Sequence, residues 1–187
     1  MAHPFDAISL VGSATLNAYI APSEFSKKRP MKKQSAGLLM YRWCDRFLQV
    51  FLVHPGGPFW KNKDAVSWSI PKGEYSEGED PLRVAKREFE EETGFIPRGK
   101  AFTPLTPLRQ PGGKIVRAWA VEGDCDASAV KSNSFSMEWP PRSGETQEFP
   151  EVDRAEWFAI EDANVKILKG QIGFLEQLKA LAACKRP

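Results

Sequence analysis

Two histidines and three cysteines are all that the 187 residues offer for soft-metal ligation or thiol chemistry. The cysteines, Cys44, Cys125 and Cys184, are odd in number, far apart and without CxxC or Cys/His spacing. That excludes a disulfide framework and a zinc site as organising features, and a reducing, cytoplasmic setting is the expectation. No run of eighteen apolar residues occurs, so no membrane-spanning helix is expected. The early apolar patch "AISLVGSATLNAYI" follows Asp6 instead of a basic segment and is interrupted by Ser, Thr, Asn and Gly, unlike a secretion signal. Net charge is scarce too: 26 basic against 24 acidic side chains leave +2, which does not point to a nucleic-acid partner. There is no internal repeat.

What is present is a globular composition, 42% hydrophobic and 27% charged, in a chain long enough for one well-cored domain and an extension. Residues 1–34 read as that extension, because "SKKRPMKK" gathers Lys27, Lys28, Arg29, Lys32 and Lys33 around a proline. A solvated arm is the plain interpretation, and contact with nucleic acid or an anionic surface is the other. Met31 also stands where an alternative start would. Residues 35–187 read as the domain.

Within it, "SAGLLMYRW" and "RFLQVFLVH" have strand character and are separated by Cys44-Asp45, as in a hairpin. The loop "HPGGPFWKNKD" leads to a brief strand, "AVSWSI", ending at Pro71-Lys72-Gly73. Asp80 as N-cap, Pro81 in the first turn and Gly94 as stop then predict a helix whose buried face is Leu82, Ala85 and Phe89. The span "FTPLTPLRQPGGKIVRAWAVEG" reads as two strands around its Pro-Gly-Gly turn. The polar segment 124–152 is too long for a turn and reads as a substrate loop with one strand at "SFSMEW". A strand "AEWFAI" and a single helix over 161–183, with Leu168, Ile172, Leu175, Leu178 and Ala182 as its apolar stripe, close the chain.

The predicted first helix carries "KREFEEETGF". Glu88, Glu91 and Glu92 are spaced i, i+3, i+4 and share one side, whereas Glu90 points elsewhere. Like charges at that spacing destabilise a helix, and a bound cation would offset the repulsion. Oxygen donors of this kind suit Mg²⁺ or Mn²⁺ better than zinc. A solvated acidic face, partly neutralised by Lys86 and Arg87, is the alternative.

Residues 73–95, "GEYSEGEDPLRVAKREFEEETGF", resemble the Nudix box: Gly73, Glu79, Arg87, Glu88, Phe89, Glu91, Glu92, Gly94 and Phe95 fill all nine of its specified positions across 23 residues. The preceding "WSIPKG" is similar to the entry strand of Nudix hydrolases that act on dinucleoside polyphosphates. The resemblance implies an α/β/α sandwich with a mixed sheet and a loop-helix-loop catalytic motif. It also implies metal-dependent hydrolysis of a pyrophosphate bond in a nucleoside diphosphate linked to another moiety, with Mg²⁺ or Mn²⁺ as cofactor. Carried over, Glu88 and Glu92 are the principal metal ligands, Glu91 a further ligand, and Gly73 a tight-turn residue whose carbonyl can face a metal. Arg87 and Glu79 form an orienting pair.

The base that activates water comes from within the box or from a later loop in this family, leaving Glu91, Glu138, Glu145 and Glu148 as candidates. Lys72 is placed to meet a phosphate as a point charge, with an ordinary solvent-facing lysine as the alternative. Tyr41, Trp43, Phe59 and Trp60 are stacking candidates, although most aromatics at strand spacing are core. His54, before Pro55, suits a structural hydrogen-bonding role. The expected partner is a small-molecule nucleotide: a dinucleoside polyphosphate or nucleoside triphosphate first, then ADP-ribose or another sugar nucleotide. A regulatory module that binds nucleotide without turnover is the alternative from another class; its mark would be missing box carboxylates, and none is missing here. An RNA-directed decapping-type hydrolase aided by the basic arm ranks below these.

Overall fold

The computed structural model describes residues 34–184; "AISLVGSATLNAYI" and "SKKRPMKK" lie outside them. Strand β1 (Gln34–Cys44) and strand β2 (Phe47–Pro55) form an antiparallel hairpin, turning at Asp45 and Arg46. Both turn residues have positive φ, 47° and 71°, the backbone that a two-residue hairpin turn of right-handed strands demands. The turn thus sits one residue later than the Cys44-Asp45 expectation.

A short strand, β3 (Lys72–Tyr75), pairs antiparallel with the start of β1 and sets Gly73 opposite Ala36. Helix α1 (Pro81–Thr93) follows, then β4 (Phe102–Pro104), β5 (Leu108–Arg109), β6 (Ile115–Glu122) and a 3-10 turn at Ala127–Ala129. Strands β7 (Ser134–Glu138) and β8 (Thr146–Pro150) make a separate two-stranded hairpin. Strand β9 (Val152–Ala159), α2 (Ile160–Lys166), a 3-10 turn at Lys169–Gln171 and α3 (Ile172–Ala183) complete the order. The main sheet runs β4-β6-β1-β2-β9, with β3 on β1 and β5 on β6; β1 and β6 are parallel and the other pairs antiparallel.

Period-two alternation divides the core. Leu38, Met40, Phe51 and Val53 pack on one face against Val84, Ala85 and Phe89 of α1. Leu39, Tyr41, Val50 and Leu52 pack on the other with Trp68, Ile70, Phe174, Leu175 and Leu178. The result is the expected α/β/α arrangement around a mixed sheet. No helix among the described residues is long and apolar enough to cross a membrane.

Four elements differ from the sequence expectation, the first being the span before the Pro-Gly-Gly turn, which is split into β4 and β5, both paired with β6, instead of forming one strand. "AVSWSI" is not a strand: it makes isolated bridges only, Val53 with Ser69 and Trp68 with Ile167. The closing helix is broken, because residues 167–168 leave helical geometry beside this segment; Ser67 and Trp68 donate to the Lys166 carbonyl and Leu168 N donates to Trp68 O. Ile167 is accordingly extended, with ψ 149°. Finally, segment 124–152 holds two strands instead of one, because "TQEFP" folds back on "SFSME".

Candidate functional site

The site is assembled around α1. Asp80 caps its start by accepting from Leu82 N at 3.0 Å. Gly94 ends it with φ 77°, its N–H donating to Glu90 O at 2.7 Å. That register turns Phe89 into the core and Glu90 to solvent. Glu88, Glu91 and Glu92 occupy the remaining side, at the level of β3.

Gly73 lets the two elements meet. A Cβ there would overlap the Glu88 carboxylate, so only glycine allows Glu88 to lie against the β3 backbone. Glu88 is correspondingly sheltered, its side chain 15% exposed. Arg87 binds Glu88 at 2.7 Å and also stands 3.5 Å from Glu79 and 3.6 Å from Glu91. Its hydrogen bond to Glu88 raises its pKa further above the ordinary arginine range. Glu79 is itself fixed, accepting from Ser76 N at 2.7 Å. Arg87 thus contacts Glu79, Glu88 and Glu91 together.

Glu92 accepts from the backbone N of Lys72 at 3.1 Å. Burial pushes its carboxyl up to about 7; Glu88 and Glu151 add to that push against the opposing charge and amide of Lys72. Burial likewise lowers the Lys72 ammonium, with Glu92 counteracting it.

Glu151, not singled out from sequence, reaches this cluster. Burial and the charges of Glu88 and Glu91 raise its pKa. Backbone bonds hold it: Glu151 N donates to Asn133 O at 2.8 Å, Asn133 N to Glu91 O at 3.0 Å, and Gly56 N to Glu151 O at 2.9 Å. Thus the end of the β7–β8 hairpin is tied to the last turn of α1. The signal was an acidic residue between Pro150 and Val152, where the polar segment yields to a strand.

The other acidic candidates of that segment sit within the hairpin. Glu138 accepts from Gly144 N at 2.9 Å, closing its own turn. Glu148 pairs across from Ser136, and the Glu145 carbonyl accepts from Trp139 N. All three are exposed. His54 is fully buried, with Nδ1 at 2.6 Å from Asp153 and Nε2 at 2.8 Å from the Lys63 carbonyl, a structural role.

Among the described residues, no three acidic, His or Cys side chains are drawn together at ligating distance; Arg87 and the Lys72 amide hold the carboxylates instead. The donor chemistry nonetheless fits a hard divalent cation. The charge of Glu88 raises the cost of ionising both Glu92 and Glu151, and Glu151 adds to that of Glu92; a cation would offset that repulsion among oxygen donors.

The NUDIX domain family matches residues 31–178. No curated protein matches the sequence. Among solved structures, an Ap4A hydrolase from C. elegans is 22% identical, with TM-score 0.53 over 81% of this chain and 98% of its own. The NUDIX domain of Shewanella oneidensis NrtR, complexed with ADP ribose, is 16% identical, with TM-score 0.56 over 86% and 94%. A mutT/nudix family protein from Listeria innocua is 16% identical, with TM-score 0.55 over 84% and 98%. These likenesses concern the fold, and the family match spans most of the chain including the whole glutamate motif of α1. The chain belongs to the NUDIX family and is a hydrolase of that family, acting on phosphoanhydride bonds.

Proposed function

We propose that the protein hydrolyses a pyrophosphate bond of a nucleoside diphosphate linked to another moiety, with Mg²⁺ or Mn²⁺ as cofactor. Dinucleoside polyphosphates lead as substrates, nucleoside triphosphates follow, and ADP-ribose or another sugar nucleotide comes third. The carrying observation is the convergence of Glu88 and Glu91 on α1 with Glu151, beside a half-buried Glu92 that Lys72 engages. The "WSIPKG" entry and the likeness to the C. elegans Ap4A hydrolase support the ordering, and the ADP-ribose complex of the S. oneidensis domain keeps sugar nucleotides on the list.

Glu88, Glu91 and Glu92, with the Gly73 carbonyl, would hold the cation. When bound, it neutralises phosphate charge and acidifies water. Arg87 keeps Glu88 and Glu91 aimed from their shared helix face. Lys72 provides a point charge for a phosphate oxygen. Glu151 takes the proton from the attacking water: its raised pKa lies nearer working pH than that of an ordinary carboxyl, which makes it the better base. Glu91 is the second choice, since Arg87 already occupies it.

The test is a Mg²⁺-dependent hydrolysis screen with chromatographic product analysis against diadenosine tetraphosphate, ordinary and oxidised nucleoside triphosphates, ADP-ribose and capped RNA. EDTA-sensitive turnover strongest on diadenosine tetraphosphate is expected. Binding without turnover across the panel would overturn the hydrolytic reading in favour of a regulatory nucleotide-binding module.

A further inference from the structure

Beside the carboxylates, a cleft of about 180 Å³ is lined by Glu92, Glu151 and Lys72 together with Trp60, Pro55 and Leu168. It unites groups suited to a diphosphate with one broad aromatic side chain. Pockets that enclose a whole drug-sized ligand measure roughly 300–1,000 Å³. At about 180 Å³ the cleft is of a size for one ring, with the rest of a ligand extending from its open side.

Trp60 does not behave as a core tryptophan. The Trp68 ring packs on Phe158 and its Nε1 donates to Asp64; the Trp157 ring packs on Phe51 and its Nε1 donates to the Cys125 carbonyl. Among the described residues, the Trp60 indole packs on no other ring and its N–H has no hydrogen-bond partner. The Trp60 side chain is half-buried, so its N–H is left to solvent or to a ligand. Its backbone, however, is firmly placed. Trp60 N donates to Gly57 O at 3.2 Å, Lys63 N donates to Trp60 O at 2.8 Å, and the Lys63 ammonium lies 4.6 Å from the indole centroid. Buried His54 anchors the Lys63 carbonyl, and Asp64 binds Trp68 Nε1 and Lys166. A loop ordered beforehand spares a ligand the cost of ordering it.

The other aromatic candidates sit elsewhere. Tyr41 lines a cleft with Arg98 and Lys100. Trp43 lines an apolar groove with Phe47 near the end of α3. Phe59 is 56% exposed, with its ring against Trp139 at 5.3 Å.

We propose that Trp60 is the specificity-determining residue of the site: the cleft seats one planar nitrogen heterocycle of the substrate, stacked on Trp60, while Lys72 meets the attached phosphates. Ser67 and Ser69 also line the cleft. Ser67 is closed off at 1% exposure, whereas the Ser69 hydroxyl, which donates to the Ile70 carbonyl, leaves an acceptor lone pair for any group that reaches it, which favours a ring edge bearing an amine. The phosphate part of this assignment rests on the proposed hydrolase function, and the ring part does not.

The test is calorimetric binding, in Mg²⁺, of two probes that resist hydrolysis: α,β-methylene adenosine diphosphate, which carries a ring, and methylenediphosphonate, which does not. The wild type is expected to bind the nucleotide analogue more tightly. Trp60→Ala should weaken that probe by about tenfold or more, in line with base–aromatic stacking measured by alanine substitution, leave the ring-free probe unchanged, and be largely rescued by Trp60→Phe. Should the alanine variant fold poorly, Trp60→Leu keeps apolar bulk without the π face and must show the same contrast. Equal wild-type affinity for the two probes, undiminished nucleotide binding in the variants, or equal loss on both probes would overturn the proposal. An intact ring contrast with no hydrolysis of any nucleotide would instead overturn the hydrolase reading alone.

Discussion

In the proposed site, Glu92 and Glu151 would divide the work that a row of identical side chains conceals. Glu92 is half-buried against the Lys72 amide, and Glu151 is exposed at the lip of the same cleft. Glu92→Gln preserves shape and removes a charge where transition-state charge is balanced, so kcat should fall by more than about a hundredfold with the fold retained by circular dichroism. Wild-type turnover would overturn Glu92 as a metal ligand. Glu151→Gln tests the base. The rate should rise with pH as a base of raised pKa loses its proton, so the variant should lose about a hundredfold or more in kcat and also lose that acid limb. Glu148→Gln, changed within the β7–β8 hairpin, should keep both. The box glutamates were legible because helical spacing alone puts them on one side. Glu151 was not, because its approach depends on Asn133 bridging to Glu91 O, a contact 42 residues from Glu91 in sequence that no local pattern encodes.

At the scale of elements, α1 is positioned by its ends and by one glycine. Gly94→Ala forces a side chain into left-handed backbone with φ 77° and sets its Cβ 3.1 Å from the Lys131 carbonyl. A loss of roughly 1–2 kcal/mol is expected on conformation alone, measurable by urea denaturation. Asp80→Ala removes the cap and should cost about 1 kcal/mol. Gly73→Ala differs in kind. Its Cβ would displace the Glu88 carboxylate, so activity should collapse to background while the melting temperature moves far less than in Gly94→Ala. Comparable losses of stability in the two would show that Gly73 serves packing instead. Capping chemistry at Asp80, Pro81 and Gly94 made this helix readable at both ends. The break at 167–168 was hidden because the apolar stripe continues through Leu168 and Ile172; the decisive partner, Trp68, lies far earlier in the sequence and pairs by backbone.

For the molecule as a whole, the two-faced sheet was legible from alternation in β1 and β2, and the box supplied the candidate site. What alternation cannot reveal is that folding buries Glu92 beside two other carboxylates, a cost borne by the entire fold. The Glu92 carboxyl titrates at about 7 against an ordinary 4.5. Below the lower value it is protonated both folded and unfolded and imposes no penalty. As pH rises from 4.5 to 7 the unfolded chain releases its proton first, so metal-free stability falls across that window and stays reduced above it. A cation binding only the folded, ionised site reverses the loss by mass action. Mg²⁺ should therefore raise the melting temperature more at about pH 8 than at about pH 5.5, because the ionised ligand exists at the former and competes with a proton at the latter. Glu92→Gln should make the metal-free protein more stable at about pH 8 and remove most of the Mg²⁺ shift there. Thermal melts of both proteins, with EDTA or Mg²⁺ at each pH, decide the matter. A shift independent of pH, or larger at the acidic value, would mean that the cation does not bind through Glu92.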